Sequence, residues 1–425
     1  MPHRHRPVDV EDDEGYVKDL YLRLDKIRIA SLRADVKALW ENEWRTAARK
    51  GLAPFHDAHY EDLQPIFDTL IESGTDDVTS PEYTLAFYPR AHELALSAEN
   101  ALLHHGDKSL AAELYLRACA VLRMARYSPS SSALPAAAAA AAEAASSPSN
   151  PTCPVRARAW QLQKSYHAKA GRLFPDSPLD EVTIPHTHDA ATRPDPNSAA
   201  SGVRDRGVTA KATTAAAARP QIPLAVRLPQ RTLFTGEPCP AVLVVTEDRT
   251  AHSALCGDLL ARGWGCVVVE APGCGDCPVP LSSSEDAAAA LWASVLEWMG
   301  AIRVFDMARV VVWAAGVEDA PLLVDQLSAA VGGARVRGCV AVVGGGSSAV
   351  MASAGGWGSN GRVLVVADND EAGADAVLAL GDDGLALFDY GTLGVGAEAA
   401  VRSLAAGAAA VYDWVEDLLR LDMVV

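Results

Sequence analysis

Six short apolar runs in the second half of the chain, most of them followed by a stretch of helical period, constrain the fold more than any other feature. They are AVLVVT (241–246), GCVVVEA (265–271), RVVVWAA (309–315), RGCVAVVG (337–344), RVLVVAD (362–368) and GLALFDY (384–390). A short apolar run without polar alternation fits a strand buried on both faces. Helical patterns lie between them at Ser253–Arg262, Glu285–Met299, Asp319–Val331 and Glu371–Leu380, and a last helix is expected from Glu398 to Leu421. Strands separated by helices predict an α/β fold with a mostly parallel, doubly covered sheet.

The first part of the chain reads differently. Residues 16–50, 82–104, 107–127 and Val155–Leu173 carry helical patterns, the middle two joined at His104-His105-Gly106-Asp107. Residues 128–151 are Pro/Ser-rich at both ends and polyalanine in the centre. Alanine favours helix but has little to bury, so this is expected to be a surface insertion. Residues 189–220 form a second low-complexity stretch. The expected organisation is a helical N-terminal or cap region (1–188), a linker (189–220) and an α/β domain (221–425).

Charge and cysteine usage exclude several functions. The chain has 425 residues and a formal net charge of −17. That works against nucleic acid or an anionic membrane as partner. No apolar run reaches the roughly 18–20 residues of a membrane span. The start, MPHRHRPVDVEDDEG, lacks the apolar segment of a secretory signal, so a cytoplasmic protein is expected, with vesicular or secreted association left open. The eight cysteines are scattered and read as free thiols. Cys274 and Cys277 form one C-x-x-C with no His after it, a structural pattern rather than a redox or metal motif. Neither a metal nor a cofactor is expected.

The turns after the strands decide which α/β fold this is. The turn after 265–271 reads PGCGDCP and the turn after 241–246 reads EDRTAH. Neither is a dinucleotide-binding glycine turn, and no phosphate-binding P-loop occurs. The α/β-hydrolase fold also has this strand pattern. It carries its nucleophile in a tight elbow after a central strand, with the acid and the histidine later in the chain. Here the strand ARVVVW is followed by AAGVEDAPLL, which puts Gly316 at the elbow, between Ala314 and Glu318. All eleven histidines lie at or before His252. A triad histidine after the elbow is therefore impossible, and with it the usual general base.

Longer segments carry a specific likeness. FYPRAHELA (87–95), AAELYLRACAVLRMARY (111–127), WQLQKSYHAKA (160–170), EVTIPHTH (181–188), LARGWGCVVVEAPGCGDCP (260–278) and LWASVLEWM (291–299) occur in order along the chain. In these the chain resembles the fungal FrsA-like α/β-hydrolases of aromatic polyketide pathways. The resemblance implies a nucleophile in W-G-x-S-x-G-G, where this chain has Trp313 to Asp319 with Gly316 at the serine position. It implies an acid at Asp370 and a histidine where Gly394 stands. It implies an oxyanion-loop glycine where Glu247 stands, and a carboxylate there would oppose an oxyanion. His186 and His188 in IPHTH correspond to a strand end of that family.

What the resemblance implies for function follows from these departures. The chain is similar to the family's non-catalytic, dirigent-type members, which steer laccase-catalysed coupling of naphthopyrone phenols. The expected ligand is an aromatic polyketide, the expected functional partner a multicopper oxidase, and the expected assembly a homodimer. Glu247, Asp248, His252, Trp313, Glu318, Asp319 and Trp357 are the candidate ligand contacts. The alternative is an enzyme with a triad-independent carboxylate, Asp370 or Glu318, acting in cyclisation, dehydration or C–C cleavage.

Overall fold

Valine-rich runs pair most stably where both of their faces are covered, and here they form one eight-stranded sheet. The computed structural model describes residues 36–51, 54–127, 153–188, 219–280, 283–315, 336–344, 362–368, 385–389 and 411–420. The strands are β1 (Asp180–Pro185), β2 (Gln221–Arg227), β3 (Cys239–Thr246), β4 (Gly265–Glu270), β5 (Phe305–Ala315), β6 (Gly338–Gly344), β7 (Arg362–Asp368) and β8 (Leu385–Asp389). Their order is β1-β2-β4-β3-β5-β6-β7-β8. β2 runs antiparallel to both neighbours, and every neighbouring pair from β4 to β8 is parallel. This order and sense are those of the α/β-hydrolase fold.

All six expected strands are present, β5 beginning earlier than its apolar run because Phe305 pairs with Cys239 of β3. β1 and β2 complete the sheet as an antiparallel pair. Each contains a proline, which weakens a strand signal: Pro185 ends the edge strand β1, and Pro223 stands in β2 one residue before its pairing with β4 begins at Leu224. The expected boundary at 188 therefore falls after the first strand of the sheet rather than before it. The helices expected at Asp319–Val331 and Glu371–Leu380, the insertion 128–151 and most of the linker lie outside the described residues.

The described residues fall into two compact units. One lies within Met1–His105 and Glu113–His167, the other within Gly106–Ala112 and Ala168–Val425. In the helical unit, the segments Val36–Leu39, Trp40–Trp44 (a π turn) and Arg45–Lys50 present Trp40 and Trp44 to the helix Tyr60–Glu72. Trp40 stacks on Phe67 at 4.3 Å between ring centroids, and Phe67 meets Phe87 edge-on at 5.6 Å. Phe87 belongs to Pro81–Asn100, whose N-terminus is capped by Ser80 accepting from the Tyr83 amide at 3.1 Å. Asp62 is buried among these helices and is satisfied by Arg90 (2.7 Å) and Arg117 (2.8 Å).

In the sheet unit, alternation along each strand divides the core into two layers. Leu243 and Val245 of β3 and Val312 and Ala314 of β5 pack with Trp292, Val295 and Met299 of the helix Glu285–Ile302. Val242 and Val244 of β3 and Val311 and Trp313 of β5 face the other way, with Leu259 of Ser253–Ala261 and Val415 of the helix 411–420. Burying each such valine, leucine or methionine side chain contributes about 1.5–3 kcal/mol. Among the described residues no helix is long and apolar enough to cross a membrane.

Candidate functional site

In an open parallel sheet, side chains that can meet a ligand gather where the strands end at their carboxyl edge. The register places three strand ends side by side. Thr246 of β3 pairs with Glu270 of β4 on one side and Ala315 of β5 on the other. The three triad positions read from the sequence follow such ends in the chain. Gly316 comes directly after β5, Asp370 two residues after β7, and Gly394 after β8. Gly316, Glu318, Asp319, Trp357, Asp370 and Gly394 all lie outside the described residues.

The loop after β3 is described in full. Glu247 is exposed and Asp248 half-buried. Asp248 accepts from the Thr250 amide (2.9 Å) and hydroxyl (2.7 Å) through one carboxylate oxygen, a local turn that holds the loop in shape. His252 stands at the start of the helix Ser253–Ala261, and its Nε2 is 2.8 Å from the Thr246 hydroxyl. Glu247, Asp248 and His252 thus share one short rim at the end of β3.

Trp313 is not part of that rim, which corrects its reading as a ligand contact. Its parity on β5 points it into the layer beneath the sheet, where it is 8% exposed and lies 5.6 Å from the ring of Tyr412. Tyr412 in turn donates to Asp258 at 3.0 Å and lies under the Arg262 guanidinium. Trp313 is a core residue that docks the helix 411–420.

Beneath the rim lies a group that sequence reasoning did not single out. Glu270 is 1% exposed and Arg249 8% exposed. Arg249 Nη1 donates to Glu270 Oε2 at 2.8 Å, and Arg249 Nη2 to Asp276 Oδ2 at 2.9 Å. The Asp276 amide donates to the same Glu270 oxygen at 2.7 Å. Burial pushes the Glu270 carboxyl up to about 7, against the opposing pull of Arg249. The carboxylates raise the Arg249 value more than its burial lowers it, so it stays charged. A signal was present: a lone acid at the end of the apolar run GCVVVE, followed by the glycine turn PGCGD.

The other singled-out residues are structural. His186 Nδ1 is 3.1 Å from the Ser294 hydroxyl, and Thr187 donates to Glu297 at 2.9 Å, which ties the end of β1 to Glu285–Ile302. Cys277 packs against the core, and burial pushes its thiol up to about 12, the opposite of a reactive thiolate. Among the described residues no cluster of His, Cys, Asp and Glu could hold a metal ion.

No family profile and no curated protein matches the chain. Among solved structures, AbyA5 (wild type) is similar over 71% of this chain and 78% of its own, at 14% identity and a TM-score of 0.41. An S-formylglutathione hydrolase from Agrobacterium tumefaciens is similar over 47% of this chain and 91% of its own, at 14% identity and a TM-score of 0.31. The fold assignment rests on strand order and sense.

Proposed function

We propose that the protein is a hydrolase-fold protein without a working triad. In this reading it binds naphthopyrone phenols, or the radicals a laccase makes from them, and controls the regio- and stereochemistry of their coupling in viriditoxin-like pathways. One observation carries the reading. β5 ends at Ala315, the strand end from which this fold presents its nucleophile, and the next residues are Gly316, Val317 and Glu318. None of them has a hydroxyl or thiol to activate. No histidine follows His252, so no imidazole is available after β7 or β8 to act as general base.

The chemistry needs no such group. A laccase removes an electron and a proton from each phenol, and two radicals then join with little facial control in free solution. A protein surface that holds one partner by its phenolic oxygens blocks one approach. The carboxylates of Glu247 and Asp248 accept from phenolic hydroxyls, and the imidazole of His252 offers a donor or an acceptor. Glu318, Asp319 and Trp357 are further contacts on this reading. A difference of about 1.4 kcal/mol between competing couplings gives tenfold selectivity.

The test is chiral chromatography of the dimers formed from a naphthopyrone monomer and a laccase, with and without the protein. The expected result is one dominant atropisomer with the protein and a near-racemic mixture without it. An unchanged ratio, or monomer consumed by the protein without laccase, sinks the reading.

A further inference from the structure

Glu270 ends β4 with its carboxylate between two loops. Arg249 reaches it from the loop 247–252, and the amide of Asp276 reaches it from the loop 271–280. Gly275 passes so close, at φ 52°, that a side chain there would strike the Glu270 carboxylate. The loop 271–280 is also pinned to β3, the Ala271 amide donating to the Thr246 carbonyl at 2.8 Å. Thr246 holds His252. One buried carboxylate therefore joins the two loops, while 1% exposure keeps it from touching a ligand itself.

We propose that Glu270 is the positioning residue of the rim: through Arg249 it sets the loop bearing Glu247, Asp248 and His252, through the Asp276 amide it sets the loop 271–280, and its state of charge decides how firmly both are held. This rests on the reading of that rim as a ligand surface. The groups facing Glu270 among the described residues are Arg249 and Asp248 from one loop and Asp276 and Cys277 from the other. Burial raises the carboxyl most; Asp248 and Asp276 add to that, and Arg249 opposes it. A carboxyl held at about 7 when the loops are closed, against 4.5 in water, binds its proton more tightly in the closed state. By linkage the loops open more readily as pH rises from about 4.5, levelling off above about 7.

The experiment is hydrogen exchange of the full chain at pH 5 to 8, corrected for the intrinsic pH dependence of exchange, for wild type and Glu270→Gln. The glutamine carbonyl can take both short contacts and cannot ionise. In wild type, protection of 247–252 and 271–280 falls together by at least about tenfold across this range. In Glu270→Gln it stays flat at the acid-side level. Wild-type protection that does not change with pH, or a variant that follows the wild-type profile, overturns the proposal. If Glu270→Gln fails to fold, Asp276→Asn serves instead. It removes a charge that raises the Glu270 value, so protection levels off at lower pH; an unmoved profile overturns the proposal.

The coupling assay separates this from the functional reading. Loops that titrate as described while the dimer ratio ignores the protein support the role of Glu270 and remove the function. A dimer ratio set by the protein while both loops stay silent to pH overturns the role of Glu270 alone.

Discussion

Glycine at 275 is required by Glu270. A Cβ built on Gly275 falls inside the van der Waals envelope of the Glu270 carboxylate, and the backbone there has φ 52°. The glycine turn in PGCGD is thus shaped by the buried acid that precedes it. Gly275→Ala is expected to cost roughly 2–5 kcal/mol, from overpacking and left-handed strain together. A urea midpoint left unshifted by this change would show that the loop does not wrap the carboxylate.

Arg249 is the buried cation of the same group, so its removal is more damaging than an ordinary surface change. Arg249→Met leaves Glu270 without its counter-charge and Asp276 without its partner. The expected loss is about 3–5 kcal/mol at pH 8. At pH 5 the orphaned carboxyl takes up a proton and the loss shrinks. Equal destabilisation at the two pH values would contradict this account.

The buried carboxylates of Glu270 and Asp62 have opposite pH dependences. Glu270 is raised, so its stability contribution is fully present below about 4.5 and is lost as pH rises through about 7. Burial acts to raise Asp62, but hydrogen bonds from Arg117 and Arg90 outweigh it and hold the carboxyl below its usual 3.8. Its contribution is present above that value and is lost as pH falls through the lowered one. Acid is therefore expected to loosen the helical unit while leaving the Glu270 contribution intact. Asp62→Asn should flatten the acid limb of unfolding measured by exchange in 60–72, and a limb unchanged by that substitution counts against the assignment.

On the proposed reading of the triad, a hydroxyl placed at residue 316 alone restores nothing. Gly316→Ser supplies a hydroxyl after β5, but the chain has no histidine beyond His252 to deprotonate it. Hydrolysis of a p-nitrophenyl ester by this variant is expected to stay at the wild-type background. A rise of a hundredfold or more would reveal a general base that the reading of the chain lacks.

Much of the fold was legible in the sequence because buried parallel strands must be apolar on both faces. AVLVVT, GCVVVE and RVVVWAA are unmistakable for that reason, and each became a strand at the expected place. β1 and β2 were less legible, since Pro185 and Pro223 interrupt their strand pattern and β1, at the edge, need not be continuously apolar. Glu247, Asp248 and His252 lie within six residues of each other, and the ends of β3 and the next helix put all three in one loop.

The chain by itself determined that Gly316, Val317 and Glu318 follow β5 and that none of the eleven histidines lies beyond His252, facts of composition and order that no packing can alter. Tertiary structure decided which way side chains point and which distant charges meet. Strand parity turned Trp313 into the core against Tyr412, 99 residues away by number (412 − 313). The parallel pairing of β3 and β4 brought Arg249 to Glu270, and the turn at Gly275 brought Asp276 to both. Such meetings depend on long-range register, and register is set by which faces are buried in the folded sheet rather than by any local run of residues.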